Sequence, residues 1–354
     1  MQKHGVLLIN LGTPSAPTFF SVASYLNSFL TDDKVIDLPY FLRQCLVKGI
    51  IVPFRTRNTL KAYRSIWTAT GSPLRTHMQS LRKALQLALD NNGESALVAL
   101  GMRYGEPSIP QGIAMLREAG CTYLHILPLY PQYAAATTGS ALAVVLDTLK
   151  QQEPILPFKV YSPFYQASGF IEAFALRIRE HTEKNREMTR GAFTVFSYHG
   201  LPERQVRNMG CAHLSQCQQK THCIKVKEEK ADPLLTCYRA QCFLTTNALV
   251  KALNLNPMQT ATAFQSRVGR IPWIQPYTDK LLQALIAKKI KRVVIVCPSF
   301  VVDCLETLEE IEIRAKEAWE ALGGEYLSMV PSLNAHPTWV NTLMDWIIDN
   351  NQSK

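Results

Sequence analysis

The feature that most constrains this chain is an alternation of short, β-rich apolar runs with longer stretches of helical period, repeated along almost its whole length. Runs of the first kind fall at residues 5–10, 96–101, 123–127 and 158–161, and again at 193–198, 260–264, 292–297 and 325–329. Helical periods fill the gaps, for instance at 78–90, 141–151, 169–182 and 305–321. A strand that reaches the next strand through a helix makes a parallel sheet with helices on its faces. The pattern predicts an α/β fold of two similar halves, each a four-stranded parallel sheet flanked by helices. No obvious sequence repeat relates them. The expected domains are residues 1–165 and 166–330, followed by a closing C-terminal helix within 331–354.

Composition narrows the class. Of the 354 residues, 47% are hydrophobic and 19% charged, which suits a globular chain with a large core. The formal net charge of +10 would serve a nucleic acid, a membrane surface or an anionic small molecule. No long Lys/Arg run and no zinc-finger or RNA-binding signature is present, so nucleic acid is not expected as a partner. The start, MQKHGVLLIN, has too short an apolar run for a signal peptide, and no segment reaches the roughly 18 uninterrupted apolar residues of a spanning helix. A cytoplasmic protein, soluble or peripheral on the inner face of the membrane, is expected. Nine cysteines in a reducing compartment argue against a disulfide framework, and five of them crowd between Cys211 and Cys242.

Open parallel sheets bind ligands beyond the carboxyl ends of their strands. Asn10, Gly12 and Thr13 follow the first run, and Arg103 and Tyr104 the second; Tyr130 and then Ser140 follow the third. In the second half the corresponding residues are His199-Gly200-Leu201-Pro202, Gln265-Ser266-Arg267 and Pro298-Ser299-Phe300. Polar and aromatic groups thus gather on one rim. An imidazole there accepts a proton at neutral pH, since its unperturbed pKa is about 6.5; the bland alternative for His199 is a histidine hydrogen-bonded in a turn. With a helix starting near Asp303, the carboxylates of Asp303, Glu306 and Glu310 would share one face, able to hold a hard cation or pass protons. Acids in a first helical turn also complement the helix dipole, which explains Asp303 well, Glu306 partly and Glu310 poorly. The segment FQSRVGRIPW (264–273) offers an aromatic shelf between two arginines, suited to a flat anion or simply packed on the core.

These residues carry a resemblance. GVLLINLGTP (5–14), YRSIWTATGSPL (63–74), LPLYPQYAAATTGS (127–140), SYHGLPE (197–203), QSRVGRIPW (265–273) and CPSFVVDCLETLEE (297–310) together resemble ferrochelatase over nearly the whole chain. The resemblance implies a metal chelatase (a lyase) that inserts Fe2+ into a porphyrin, with two Rossmann-like halves and the active-site cleft between them. It implies that His199 and Glu306 are the catalytic pair that takes pyrrole protons and meets the substrate iron, and that Asp303 and Glu310 form an acidic path. Leu11, Arg103, Tyr104, Tyr130, Ser140 and Trp273 match residues that line the porphyrin pocket or hold its propionates. Animal members of the family have a histidine where this chain has Cys304. The start of the chain and its apolar segments resemble the protoporphyrin IX group, whose product is protoheme; coproporphyrin III and a cobalt or other tetrapyrrole chelatase are the alternatives. A two-lobed ligand carrier is the non-enzymatic rival, disfavoured by a rim that bears a base and carboxylates.

Two further segments carry expectations. Residues 19–30 and 38–57 mix Phe, Leu, Ile and Tyr with Arg43, Lys48, Arg55 and Arg57, either as amphipathic helices packed on their own domain or as an apolar lip that leans on a bilayer. Within an insertion at 209–237, Cys211, Cys217, Cys223 and Cys237 are spaced x5, x5 and x13. Four thiolates can hold a 2Fe–2S cluster or a zinc ion. The tight Cys-x2-Cys pairs of zinc knuckles are absent, and the insertion resembles that of bacterial ferrochelatases carrying a 2Fe–2S cluster. Zinc, with His213 or His222 as further ligands, and free thiols are the alternatives. Oligomeric state is left open.

Overall fold

A computed structural model describes residues 3–161, 163–209, 237–269 and 271–352, with side chains described as far as residue 348. The chain divides into two compact units. The first comprises Met1–Tyr130, Ala134–Ser162 and Asn334–Lys354, the second Pro131–Tyr133 and Pro163–Leu333.

In the first unit β1 (His4–Asn10), β2 (Ala96–Met102), β3 (Tyr123–Pro128) and β4 (Phe158–Val160) form a parallel sheet in the order β2-β1-β3-β4. Every residue of β1 is buried, as a central strand covered on both faces requires. One core packs Leu7, Ile9, Ala99, Ile126 and Tyr130 against Ile113 and Leu116 of the helix Ile109–Glu118 and Val145 of the helix Ser140–Leu149. Local sequence fixes the start of the first of these helices: Ser108 and Gln111 form a reciprocal capping box. The helix Pro73–Asn91 buries Leu74, Met78, Leu81, Leu85 and Leu89, a stripe at helical spacing. It packs on β2 and on the C-terminal helix Pro337–Gln352.

The second unit repeats the same strand order. β5 (Phe193–His199), β6 (Thr260–Gln265), β7 (Arg292–Val296) and β8 (Tyr326–Met329) are parallel, in the order β6-β5-β7-β8. Val195, Ala263, Val293 and Ile295 meet Leu282, Leu285, Ile311 and Trp319 in its core. The expectation of two four-stranded α/β halves therefore holds.

The acid-bearing helix differs from the expectation in register. It opens as a short α-turn, Leu305–Thr307, widens into a π-helix over Leu308–Ala315 and returns to α at Lys316–Ala321. Asp303 lies ahead of its cap residue, Cys304, in non-helical backbone. The three acids therefore do not share one face of a regular helix. The carboxylate of Asp303 is turned inward instead, where its Oδ1 accepts from the Ser332 N–H (3.1 Å) and the Thr307 hydroxyl (3.2 Å). Arg43 also departs from its expected place as a basic flank: it is buried and donates to the carbonyls of Leu38 (2.6 Å) and Ile36 (3.4 Å).

Candidate active site

In the second unit the reactive groups stand where strands end. β5 delivers His199 as its last residue, half-buried, with the Phe300 ring edge-on and its centroid 6.2 Å from that of the imidazole. Nδ1 of His199 lies 2.6 Å from the Gly200 carbonyl. A carbonyl can only accept, so Nδ1 carries a proton, and in the neutral tautomer this selects, the lone pair is on Nε2. The buried Tyr238 hydroxyl donates to the carbonyl of His199 (2.8 Å) and fixes the backbone beneath it.

Gln265 joins this histidine to the acids. It is paired in register with His199, and its carbonyl accepts the Gly200 N–H at 2.8 Å. Its buried side-chain amide accepts from Ser197 (2.7 Å) and donates to the Glu306 carbonyl (2.7 Å). Glu306 is thereby anchored through its backbone, which leaves the half-buried carboxylate to other work. The next residue, Ser266, sits at φ 66°, an uncommon value for a residue with a Cβ. That conformation turns both its N–H (2.8 Å) and its hydroxyl (2.5 Å) onto the Glu310 carboxylate. Cys304 is a buried thiol; burial first, then the charge and hydrogen bond of Glu306, push its pKa well up. It therefore stays protonated and adds no negative charge.

Trp273 is buried rather than displayed, its indole N–H bonded to the Val268 carbonyl (2.9 Å) and its ring close under Gly200. Arg267, on the expected shelf, is tied to Asp279 at 2.6 Å. Arg270, its proposed companion, lies outside the described residues.

The first unit has its own polar knot at the strand ends. Arg103 and Tyr104 follow β2, Ser140 begins the helix Ser140–Leu149, and Leu11 packs half-buried on the core just past β1. All three polar side chains converge on a residue that pattern reading had passed over, Asp32. Its Oδ2 accepts from the Arg103 guanidinium, from the Tyr104 hydroxyl (2.7 Å) and from the Ser140 hydroxyl (2.5 Å). Burial opposes ionisation of Asp32, yet the bonds from Ser140, Tyr104 and the Lys34 N–H, together with the Arg103 charge, outweigh it and hold the carboxyl below its usual range. Burial pushes the phenol of Tyr104 well up, so it remains a donor. Tyr130 is buried nearby, and its hydroxyl has no partner among the described residues.

A stability prediction follows from the lowered Asp32 pKa. A depressed carboxyl contributes stability that is complete above its unfolded pKa of about 3.9 and is lost as pH falls through the folded value. The stability gap between wild type and Asp32→Asn should therefore be constant near neutrality and close below about pH 4. Urea unfolding at several pH values measures it.

Comparison with known proteins now decides the family. The ferrochelatase family model matches residues 3–351. The chain belongs to the ferrochelatase family. It is 47% identical over 342 residues to a ferrochelatase of Legionella pneumophila, covering 97% of this chain and 98% of that one. It is 46% identical over 342 residues to a ferrochelatase of Coxiella burnetii, covering 97% and 92%. Ferrochelatases are metal chelatases of heme synthesis, lyases that act on a porphyrin, and the expected enzyme class holds. Solved structures share the fold at low identity. The sirohydrochlorin chelatase SirB of Bacillus subtilis subspecies spizizenii, solved with cobalt, superposes with TM-score 0.52 at 10% identity, covering 98% of this chain and 95% of that one. SirB from Bacillus subtilis with Fe3+ gives 0.52 at 11% identity, covering 99% and 96%.

For a ferrochelatase the groups missed by pattern reading are Asp32, as an acceptor, and Tyr238, as a brace. Gln265 and Ser266 had drawn notice only as polar residues after a strand. The one usable signal was that Gln265, like His199, directly follows an apolar run. Asp32 gave none, because the side chains it accepts from lie 71 to 108 residues away.

Proposed function

We propose that this ferrochelatase inserts Fe2+ into protoporphyrin IX, with His199 as the base and Glu306 as the carboxylate that meets the metal or relays protons. The tautomer of His199 carries the reading: with its proton held on Nδ1 by the Gly200 carbonyl, Nε2 is a lone pair ready for a pyrrole N–H. Insertion exchanges two N–H protons for one Fe2+, so the site needs acceptors that act in turn. His199 takes one proton. Glu306 takes the other or strips water from the arriving ion, and Glu310, held by Ser266, continues the path outward. Asp303, whose Oδ1 already accepts two hydrogen bonds, is the other acid of that path.

In this reading Leu11 and Tyr130 are the apolar substrate contacts of the first unit, where Arg103, Tyr104 and Ser140 receive the polar edge of the macrocycle; in the second unit Trp273 contributes from beneath Gly200. A rigid wall spends binding energy from the whole ring on bending it, which exposes the nitrogen lone pairs. Anaerobic incubation with Fe2+ and either protoporphyrin IX or coproporphyrin III, followed by heme absorbance, tests the substrate. Faster heme formation from coproporphyrin III would overturn the choice.

Membrane contact belongs to the same proposal. Phe20 (84% exposed), Phe41 (74%) and Phe54 (77%) stand open on Phe19–Leu30, Tyr40–Leu46 and Val52–Ile66, with Lys48 and Arg57 exposed beside them. Side chains of this kind suit the headgroup boundary of an anionic bilayer, where a sparingly soluble porphyrin would be met. Among the described residues no helix is long and apolar enough to cross a membrane. Flotation with anionic vesicles that is lost at high salt supports this surface contact; no flotation at any salt contradicts it.

For the cysteine segment we infer a 2Fe–2S cluster on Cys211, Cys217, Cys223 and Cys237. The first three lie outside the described residues. Cys237 is buried at the amino-terminal cap of the helix Tyr238–Leu253. Iron and acid-labile sulfide in equal amounts in the purified protein support the cluster, and zinc without sulfide contradicts it.

A further inference from the structure

The polar knot of the first unit contains a charge that the catalytic reading does not use. Asp32 follows the exposed apolar helix Phe19–Leu30, yet its own side chain is only 3% exposed. It accepts four hydrogen bonds: three donors meet Oδ2, and the Lys34 N–H meets Oδ1 at 2.7 Å. Arg103 is held from three sides. Its Nε donates to Ser140 (2.6 Å), its Nη2 to Asp32, and the Tyr104 ring lies 4.4 Å beneath the guanidinium. Nη1 makes no hydrogen bond among the described residues, and the side chain is 21% exposed. One edge of a fixed guanidinium is thus left for a ligand.

We propose that Asp32 is a specificity-determining residue, whose buried charge cancels that of Arg103 and so sets the preference for a porphyrin with few carboxylates. The inference rests on the reading that a porphyrin is the substrate and that its polar edge meets Arg103. A lone guanidinium on a partly buried rim attracts anions in proportion to their charge. Paired with Asp32, the same guanidinium keeps its directional donor but sums to zero. It can bond one carboxylate by geometry without drawing in a tetra-anionic ring over a di-anionic one. Nothing in that scheme requires Asp32 to touch the substrate. It orients Arg103 and neutralises it.

The test is iron insertion under anaerobic conditions with protoporphyrin IX, which has two carboxylates, and coproporphyrin III, which has four. Asp32→Asn keeps the volume and one acceptor oxygen but leaves Arg103 uncompensated. The ratio of kcat/KM for the four-carboxylate over the two-carboxylate porphyrin should rise on the order of threefold to tenfold, and the rise should shrink at about 0.5 M salt. Asp32→Glu should bring the ratio back toward wild type. Arg103→Gln leaves the carboxylate uncompensated instead and should move the ratio the other way. It serves as the reading if Asp32→Asn fails to fold. An unchanged ratio, or an equal fall for both porphyrins, would make Asp32 a structural brace only and overturn the proposal. A wild type that makes heme from neither porphyrin would defeat the functional reading instead, so the two failures are distinct.

Discussion

Gly12→Ala is expected to cost about 3 kcal/mol or more, a large fraction of the roughly 5–15 kcal/mol that keeps an ordinary domain folded. Gly12 sits at φ 104°, where a side chain is disfavoured, and an added Cβ would fall 1.7 Å from the Tyr104 carbonyl oxygen. Neither segment can yield. Tyr104 N–H is bonded to the Leu11 carbonyl (2.8 Å), Arg103 N–H to that of Asn10 (2.9 Å), and the Tyr25 hydroxyl holds Gly12 itself (3.3 Å). Gly93→Ala provides the control: φ is 73° there, but nothing lies within 4 Å of the added atom. Its cost should stay at about 1–2 kcal/mol, the conformational penalty alone. Urea midpoints for the two variants separate the crowding from the backbone conformation, and equal costs would refute the close approach.

Glu306→Gln is expected to reduce kcat about 10²- to 10³-fold while the protein stays folded. The reason for the intact fold is local. Gln265 holds Glu306 by its main-chain carbonyl, so the amide substitution leaves that anchor in place. Glu310→Gln should behave differently, because its carboxylate is what accepts both donors of the left-handed Ser266. That variant should lose stability along with rate, by about 1–3 kcal/mol. Thermal melts beside initial rates distinguish the two acids. A Glu306→Gln enzyme with wild-type kcat would remove the carboxylate from the chemistry.

Much of this was legible in the residues because burial leaves a local trace. β1 is buried at every position and reads as an unbroken apolar run; the helix Pro73–Asn91 buries one stripe and reads as a period. The four strands of each half and the rim position of His199 follow from that pattern and from the way parallel sheets bind ligands, whereas the order of strands within each sheet does not. What stayed hidden depends on contacts or registers without such a trace. A π-helix differs from an α-helix by which carbonyl each N–H meets, and the spacing of Asp303, Glu306 and Glu310 looks the same for either. Asp32 looks like any acid in a surface turn until residues from β2 and the helix Ser140–Leu149 are folded onto it. Arg43 reads as a charge in an amphipathic segment, yet it satisfies two loop carbonyls from inside. The motifs marked the family and its candidate residues; only coordinates could show that Nδ1 of His199 is already committed to the Gly200 carbonyl.

The most direct test of the central claim is a paired measurement on His199→Ala: anaerobic heme formation from Fe2+ and protoporphyrin IX, and porphyrin affinity by fluorescence on the same sample. With Nε2 as the base, the rate should fall about 10²- to 10⁴-fold while the Kd for porphyrin changes little. A variant that binds porphyrin as wild type does and makes heme at the wild-type rate would contradict the account.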